Sequence, residues 1–421
     1  MNNVHVAFIV ARNATLQVSF FKRRHAVEPY AGPIIDGDTH VYEEIDVWMK
    51  YLPKKYHEKY YLDRRAISED RFPIHIGGKP ISYGEEYTRP DGSIPKPGSI
   101  AEWLRARKEG NDEHLWVQPP EDVKSVPARL KKMDEFNVEA AILFPSDAIT
   151  ILPFVNEMSG LNALLGAYNR YIEDIWGFAT KDRIFCTAFL HLDDLDWALK
   201  ELDWALQHGC RAIAIPTGPA QKSSPADPKF DAFWARINEA KIVCGLHIGQ
   251  ATYLNALLEA WGEPILPPVT QKSAWDWLNT MGETPVVHTL SSMIYLNFFE
   301  RFPSINVVSA ENGAEWVPAF LTRMDKMRGF ARNGRWPCGQ LKERPSEIFK
   351  RHVYVVPYPE DDMRKVIDQS GFVDCFVMGS DYPHAEGCRE PKVFMAGMHD
   401  ISPLEQQKIM YDNGARLLWR N

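Results

Sequence analysis

Short apolar runs recur along the chain, and between them apolar residues return every three or four positions over longer stretches. The first pattern reads as buried parallel strands and the second as helices packed outside them. Strands are expected at Pro33–His40, Ala140–Pro145, Ile184–Leu190, Ala212–Pro216, Ile242–His247, Asn306–Glu311, Val353–Pro357 and Phe376–Asp381. Helices are expected at Asp193–His208, closed by Gly209; at Pro228–Ala240, opened by Asp227-Pro228; and at Pro285–Arg301, Glu315–Arg328 and Pro359–Gln369. A last helix starts at the capping-box sequence Ser402-Pro403-Leu404-Glu405 and runs to Trp419. Eight strands alternating with helices predict an α/β fold, a (β/α)8 TIM barrel, with a doubly wound open sheet as the competing arrangement.

Two stretches break the alternation. Residues 41–126 are rich in Pro, Gly and aromatics, among them Trp48, Tyr51, Tyr56, Tyr60, Phe72, Tyr83, Tyr87, Trp103 and Trp116, and they follow the first strand directly. In a barrel such an insertion emerges on the catalytic face, so it is expected to be a cap or lid over a pocket; a packed surface subdomain is the plainer alternative. Residues 250–283, carrying Trp261, Trp275 and Trp277, leave the end of the fifth strand in the same way. Residues 1–30 read as an N-terminal extension and 31–421 as one barrel domain.

Composition narrows the partners. A chain of 421 residues with 45% hydrophobic residues can bury a large core as one unit. The net charge of −8, with scattered Lys and Arg, argues against nucleic acid and leaves a small-molecule substrate as the expectation. Six cysteines form no CxxC pair and read as reduced thiols of a cytoplasmic protein. No apolar run is long enough to span a bilayer, so no membrane partner is expected.

The chemistry lies at strand ends. Side chains two apart on a strand point the same way, so Asp36, Asp38 and His40 share a face, with Asp38 and His40 nearest the C-terminal end. His247 ends the fifth strand and Asp381 the eighth. A lone histidine at a strand end is more often a hydrogen-bonded core residue than a ligand. Two carboxylates and two imidazoles on three strand ends instead suit a divalent metal, Zn²⁺, Mn²⁺ or Fe²⁺. Four further residues stand near these strand ends or near a helix start. His384 sits in the loop past Asp381 and His288 near a helix start, while Glu43 and Glu44 read as a solvated pair.

Several motifs coincide: Ile35-Asp36-Gly37-Asp38-Thr39-His40; Leu246-His247; Glu311-Asn312-Gly313-Ala314-Glu315-Trp316; Gly379-Ser380-Asp381-Tyr382-Pro383-His384; and Asn413-Gly414-Ala415-Arg416-Leu417. In these the chain resembles the amidohydrolase superfamily, in the amidohydrolase-related branch of aminocarboxymuconate-semialdehyde decarboxylase and γ-resorcylate decarboxylase. The resemblance spans roughly residues 33–419. It implies one divalent metal held by Asp38, His40, His247 and Asp381, and dimers as the assembly. The decarboxylases of the branch have a histidine after strand six, where this chain has Glu311.

A metal-dependent hydrolase acting on a small carbocyclic or aromatic-like substrate is the expected function, with Asp381, Glu311, His384 and His288 as candidate catalytic residues. A metal-dependent decarboxylase, a dinuclear iron oxygenase and a non-catalytic binding barrel are the alternatives. About two irons per chain would mark the oxygenase, and a folded protein that takes up no metal would mark the binding barrel.

Overall fold

The structure, a computed structural model, describes residues 30–62, 74–76, 79–81, 91–249, 251–265, 267, 271–280, 282–398 and 400–419. The extension expected over residues 1–30 lies outside these but for Tyr30, as do Phe72, Tyr83 and Tyr87 of the insertion.

Seven parallel strands form one curled sheet in chain order: β1 (Ile34–Val41), β2 (Val138–Pro145), β3 (Ile184–Phe189), β4 (Ala212–Ala214), β5 (Val243–His247), β6 (Asn306–Ala310) and β7 (Val353–Val355). Their residues are almost all buried, as expected for parallel strands covered on both faces. The covering helices are α1 (Val126–Phe136), α2 (Met158–Ile175), α3 (Leu195–Gln207), α4 (Asp231–Ala240), α5 (Thr284–Tyr295), α6 (Val317–Phe330), α7 (Pro345–His352) and α8 (Met363–Ser370). Local chemistry sets their ends. The Asp194 carboxylate accepts the Trp197 N–H at 3.1 Å to open α3, and Gly209, with φ 81°, lies just past its end. At the C-terminus the capping box forms, Ser402 and Glu405 each satisfying the other's backbone N–H.

Two expectations need correction. The helix expected over Pro285–Arg301 is two helices, because Asn297 adopts φ 54° between Tyr295 and Phe298. The eighth strand is not a ladder: Phe376 and Tyr382 make only isolated parallel bridges, to Val355 and Thr39. The backbone turns out of the extended region at Asp381, whose φ is 52°. The segment nevertheless closes the ring. Gly37 donates to Met378 O, Asp381 to Asp38 O and His40 to Tyr382 O, each at 2.8 Å, while Val355 and Val377 bond the other edge. Closure needs two glycines: a Cβ on Gly37 would stand 2.8 Å from Val377 Cγ1, and one on Gly379 would stand 2.7 Å from the Cβ of Asp38.

Between β1 and α1 the chain forms short helices at Ile45–Tyr51 and Ile100–Glu109, a three-strand meander, and a small core of Trp103, Ala106 and Leu115. This segment reaches the far side of the ring. Gly98 and Ile100 donate backbone N–H groups to His384 O and Ala385 O at 3.1 and 2.8 Å. The six cysteines are all free, five of them buried. No helix among the described residues is long and apolar enough to cross a membrane.

Candidate metal centre

Asp38 lies within an irregularity of the β1 pairing between Asp36 and Thr39 and His40 just past it, and both are about 1% exposed. His247 is the last residue of β5, and Asp381 follows the closing segment. Their polar atoms converge. His40 Nε2 lies 3.6 Å from Asp38 Oδ1, 3.3 Å from Asp381 Oδ1 and 3.1 Å from His247 Nε2; His247 Nε2 lies 3.5 Å from Asp38 Oδ1.

The hydrogen bonds on the far side of each ring tell what the near side offers. His40 Nδ1 is 3.1 Å from Pro145 O, and His247 Nδ1 is 2.8 Å from Ile248 O. A carbonyl can only accept, so each Nδ1 carries the hydrogen and each Nε2 turns a lone pair inward. Burial holds the His40 pKa well below its ordinary value, and the neighbouring His384 and His247 push the same way. Burial acts against charge on His247 as well, but the Asp38 and Glu311 carboxylates outweigh it and leave that pKa raised. Asp38 Oδ1 is buried without a hydrogen-bond donor. Two imidazole lone pairs and an orphaned carboxylate oxygen facing one point call for a cation.

Spacing agrees with a metal. Donors held about 2.1 Å from a divalent ion stand about 3.0–3.5 Å apart in octahedral or tetrahedral sets, close to the spacings here. Asp38, His40 and His247 form one set whose ligand atoms lie within 4.8 Å of one another, and Asp381 joins it through His40, with which and His384 it makes a second such set; the donor types suit zinc, manganese or iron.

Glu311 comes directly after β6, and its Oε2 lies 3.4 Å from His247 Nε2. Glu311 (φ 54°) and Asp381 (φ 52°) both hold left-handed backbone, a strained arrangement for residues with a Cβ. Glu311, Asp381 and Glu386 form a rim whose oxygens lie within 4.8 Å of one another. Burial raises the pKa of Glu311 and of Asp381 well above the carboxylate range, and the other acids of the rim add to it. His384 packs over His40 with ring centroids 4.0 Å apart, and its Nδ1 is 2.8 Å from Asp381 Oδ1. His288 stands apart from this cluster, exposed on α5, with Nδ1 2.8 Å from the Tyr253 hydroxyl.

Supporting residues went unread in the sequence. Buried Arg129 donates to His40 O at 2.6 Å and Asp122 O at 2.8 Å, fixing the backbone that carries a donor. Asp36 turns away from the centre, accepting from Ser380 N and Oγ at 2.9 and 2.6 Å. Glu43, read as half of a solvated pair, is about 1% exposed; only Glu44 faces solvent. Glu386 is five positions past Asp381 and Ser146 directly follows β2, so attention to strand ends would have flagged both.

The family model described as amidohydrolase matches residues 45–420, so the chain belongs to the amidohydrolase family. It is a metal-dependent enzyme of hydrolase or carboxy-lyase type. Comparison with curated proteins finds no match. Among solved structures, it is similar to an amidohydrolase, map2389c, of Mycobacterium avium subsp. paratuberculosis K-10, at 26% identity and TM-score 0.76, covering 93% of this chain and 100% of that one. It shares its fold with 5-carboxyvanillate decarboxylase of Novosphingobium aromaticivorans, solved with manganese and 4-hydroxy-3-methoxy-5-nitrobenzoic acid, at 17% identity and TM-score 0.56, covering 92% and 96%. It also shares it with 2,6-dihydroxybenzoate decarboxylase from Rhizobium, at 16% identity and TM-score 0.56, covering 92% and 98%.

Proposed function

We propose that this protein is a metal-dependent hydrolase of small, uncharged esters, lactones or amides with a carbocyclic or aromatic body. The observation that carries the reading is the acidic rim: Glu311, Asp381 and Glu386 within 4.8 Å of one another at the edge of the donor cluster. A carboxy-lyase must admit a carboxylate to the metal, and carboxyls so crowded that burial and one another hold Glu311 and Asp381 back from ionising offer a further anion no countercharge. They do not oppose a neutral carbonyl compound.

Asp38, His40, His247 and Asp381 would hold the ion, which when bound lowers the pKa of water and polarises a carbonyl. Glu311, on the His247 side, accepts a proton from the attacking water. Asp381 and His384, 2.8 Å apart, pass a proton to the leaving group. Tyr42, whose ring lies 5.6 Å from that of His384, supplies an aromatic face beside the centre for the substrate body.

The test is a panel of aryl esters, lactones and anilides beside hydroxybenzoic acids, assayed with the metal-loaded chain. Hydrolysis of neutral compounds, with loss of turnover in Glu311→Gln, is expected. Carbon dioxide release from a hydroxybenzoate with no hydrolysis would overturn the reading in favour of a carboxy-lyase.

A further inference from the structure

Beyond the four donors, the loop after β2 carries a second alignment. Ser146 Oγ lies 2.9 Å from His384 Nε2, and His384 Nδ1 lies 2.8 Å from Asp381 Oδ1. Hydroxyl, imidazole and carboxylate in that order form the geometry of a serine nucleophile. Two features of the same loop exclude that role. The amides that could stabilise an oxyanion there are spent: the N–H groups of Ser146, Asp147 and Ala148 donate to the Glu43 carboxylate at 3.3, 2.9 and 3.0 Å. The hydroxyl hydrogen is spent as well, on Val41 O at 2.8 Å.

What remains to Ser146 Oγ is to accept. His384 Nε2–H is then the donor across the 2.9 Å contact, and the 2.8 Å contact between Nδ1 and Asp381 Oδ1 is bridged by a second proton, carried by the ring or by the carboxyl. Turning the ring half a revolution would put a carbon in each of those places and lose both contacts. The ring is otherwise confined only by packing, over His40 at 4.0 Å and beside Tyr42 at 5.6 Å, and neither contact tells nitrogen from carbon.

We propose that Ser146 is a positioning residue for His384: anchored by buried Glu43 and by Val41 O, it selects the ring orientation that keeps Nδ1 on Asp381. The role rests on the reading of His384 as a proton-handling group. Its test does not need the substrate.

The zinc-loaded full-length chain is treated with diethyl pyrocarbonate, and modification of each histidine is followed by peptide mass spectrometry. In the wild type both nitrogens of His384 are engaged and modification is slow. In Ser146→Ala, modification of His384 is expected to rise about tenfold, while zinc content and the rates at His40 and His247 stay as they were. Ser146→Thr, which restores a hydroxyl, returns the His384 rate to that of the wild type. An unchanged His384 rate in Ser146→Ala overturns the proposal, and so does a rise at His40 and His247 together with His384, which marks general loosening. If Ser146→Ala does not fold, Ser146→Cys, which keeps the volume and weakens the acceptor, is read the same way. On an ester that the wild type hydrolyses, Ser146→Ala is expected to lower kcat about 10–100-fold with KM held within about twofold. Failure to find any ester would count against the hydrolase reading alone, because the modification rates stand without turnover.

Discussion

Two histidine clusters sit at strand ends in this barrel, and they end differently. Past β3, His191 Nε2 meets Asn162 Oδ1 at 2.8 Å, Asn162 donates to Asp194 Oδ2 at 2.8 Å, and the other Asp194 oxygen caps α3. The carboxylate is spent on a helix and the ring stacks on Trp197 at 4.8 Å; His191 Nδ1 is the one buried acceptor left over there. At β1, β5 and the closing segment the outward nitrogens are satisfied by carbonyls while the inward atoms face one another. The same residue types thus make a structural knot in one place and a ligand site in the other. The difference lies in whether the polar atoms pair off or point apart, as around His191, or converge on one point.

The sharpest way to break this comparison is to remove a converging donor. Asp38→Ala and His247→Ala are each expected to reduce bound metal from about one ion per chain to under about a tenth, read by elemental mass spectrometry, because a three-donor set loses most of its binding free energy. Retained metal in either variant would mean that the two clusters do not differ as argued. Next in size is Arg129→Met, which leaves two buried carbonyls without their donor. Denaturant unfolding is expected to show a loss of about 2–4 kcal/mol, and metal affinity to fall about tenfold as the His40 backbone loosens.

Glu43 gives a pH signature. Burial, and then nearby Asp147, push its pKa from 4.5 to about 7, against the pull of the amides that bond it. A carboxyl raised in this way binds its proton more tightly folded than unfolded. Its contribution is therefore full below pH ~4.5 and is lost as pH rises through ~7. Glu43→Gln removes the titration, so the difference in unfolding free energy between variant and wild type should move in the variant's favour from pH 5 to pH 8, by up to about 2 kcal/mol. A gap that does not change with pH would show that Glu43 does not titrate there. The smallest effect belongs to the other cluster: Asn162→Ala is expected to cost about 1 kcal/mol of stability with metal content unchanged. Loss of metal there would erase the distinction between the two.

How much of this was legible in the sequence follows from distance along the chain. The strand that carries Asp38 and His40, the strand ending in His247, the glycine stop at Gly209 and the capping box at Ser402 are local patterns, and each reads correctly; that Asp36 leaves the face of Asp38 and His40 for Ser380, 344 residues on, does not. Glu43 was misread because adjacent glutamates look solvated; the amides that bury it lie 103 to 105 residues away. Ser146 could be flagged as a strand-end residue, but its role could not be read, because its ring partner lies 238 residues on. The eighth strand was expected as a ladder because Phe376–Asp381 is apolar. The left-handed turn at Asp381, which no propensity announces, spoils the ladder and aims the carboxylate.

The clasp between Asp36 and Ser380 joins residues 344 apart in sequence. As the protein is made, Asp38, His40 and His247 leave the ribosome long before the segment that brings Asp381. The step that shuts the ring also brings the Asp381 carboxylate within 3.3 Å of His40. The site is thus assembled by long-range closure and not by any local stretch of chain.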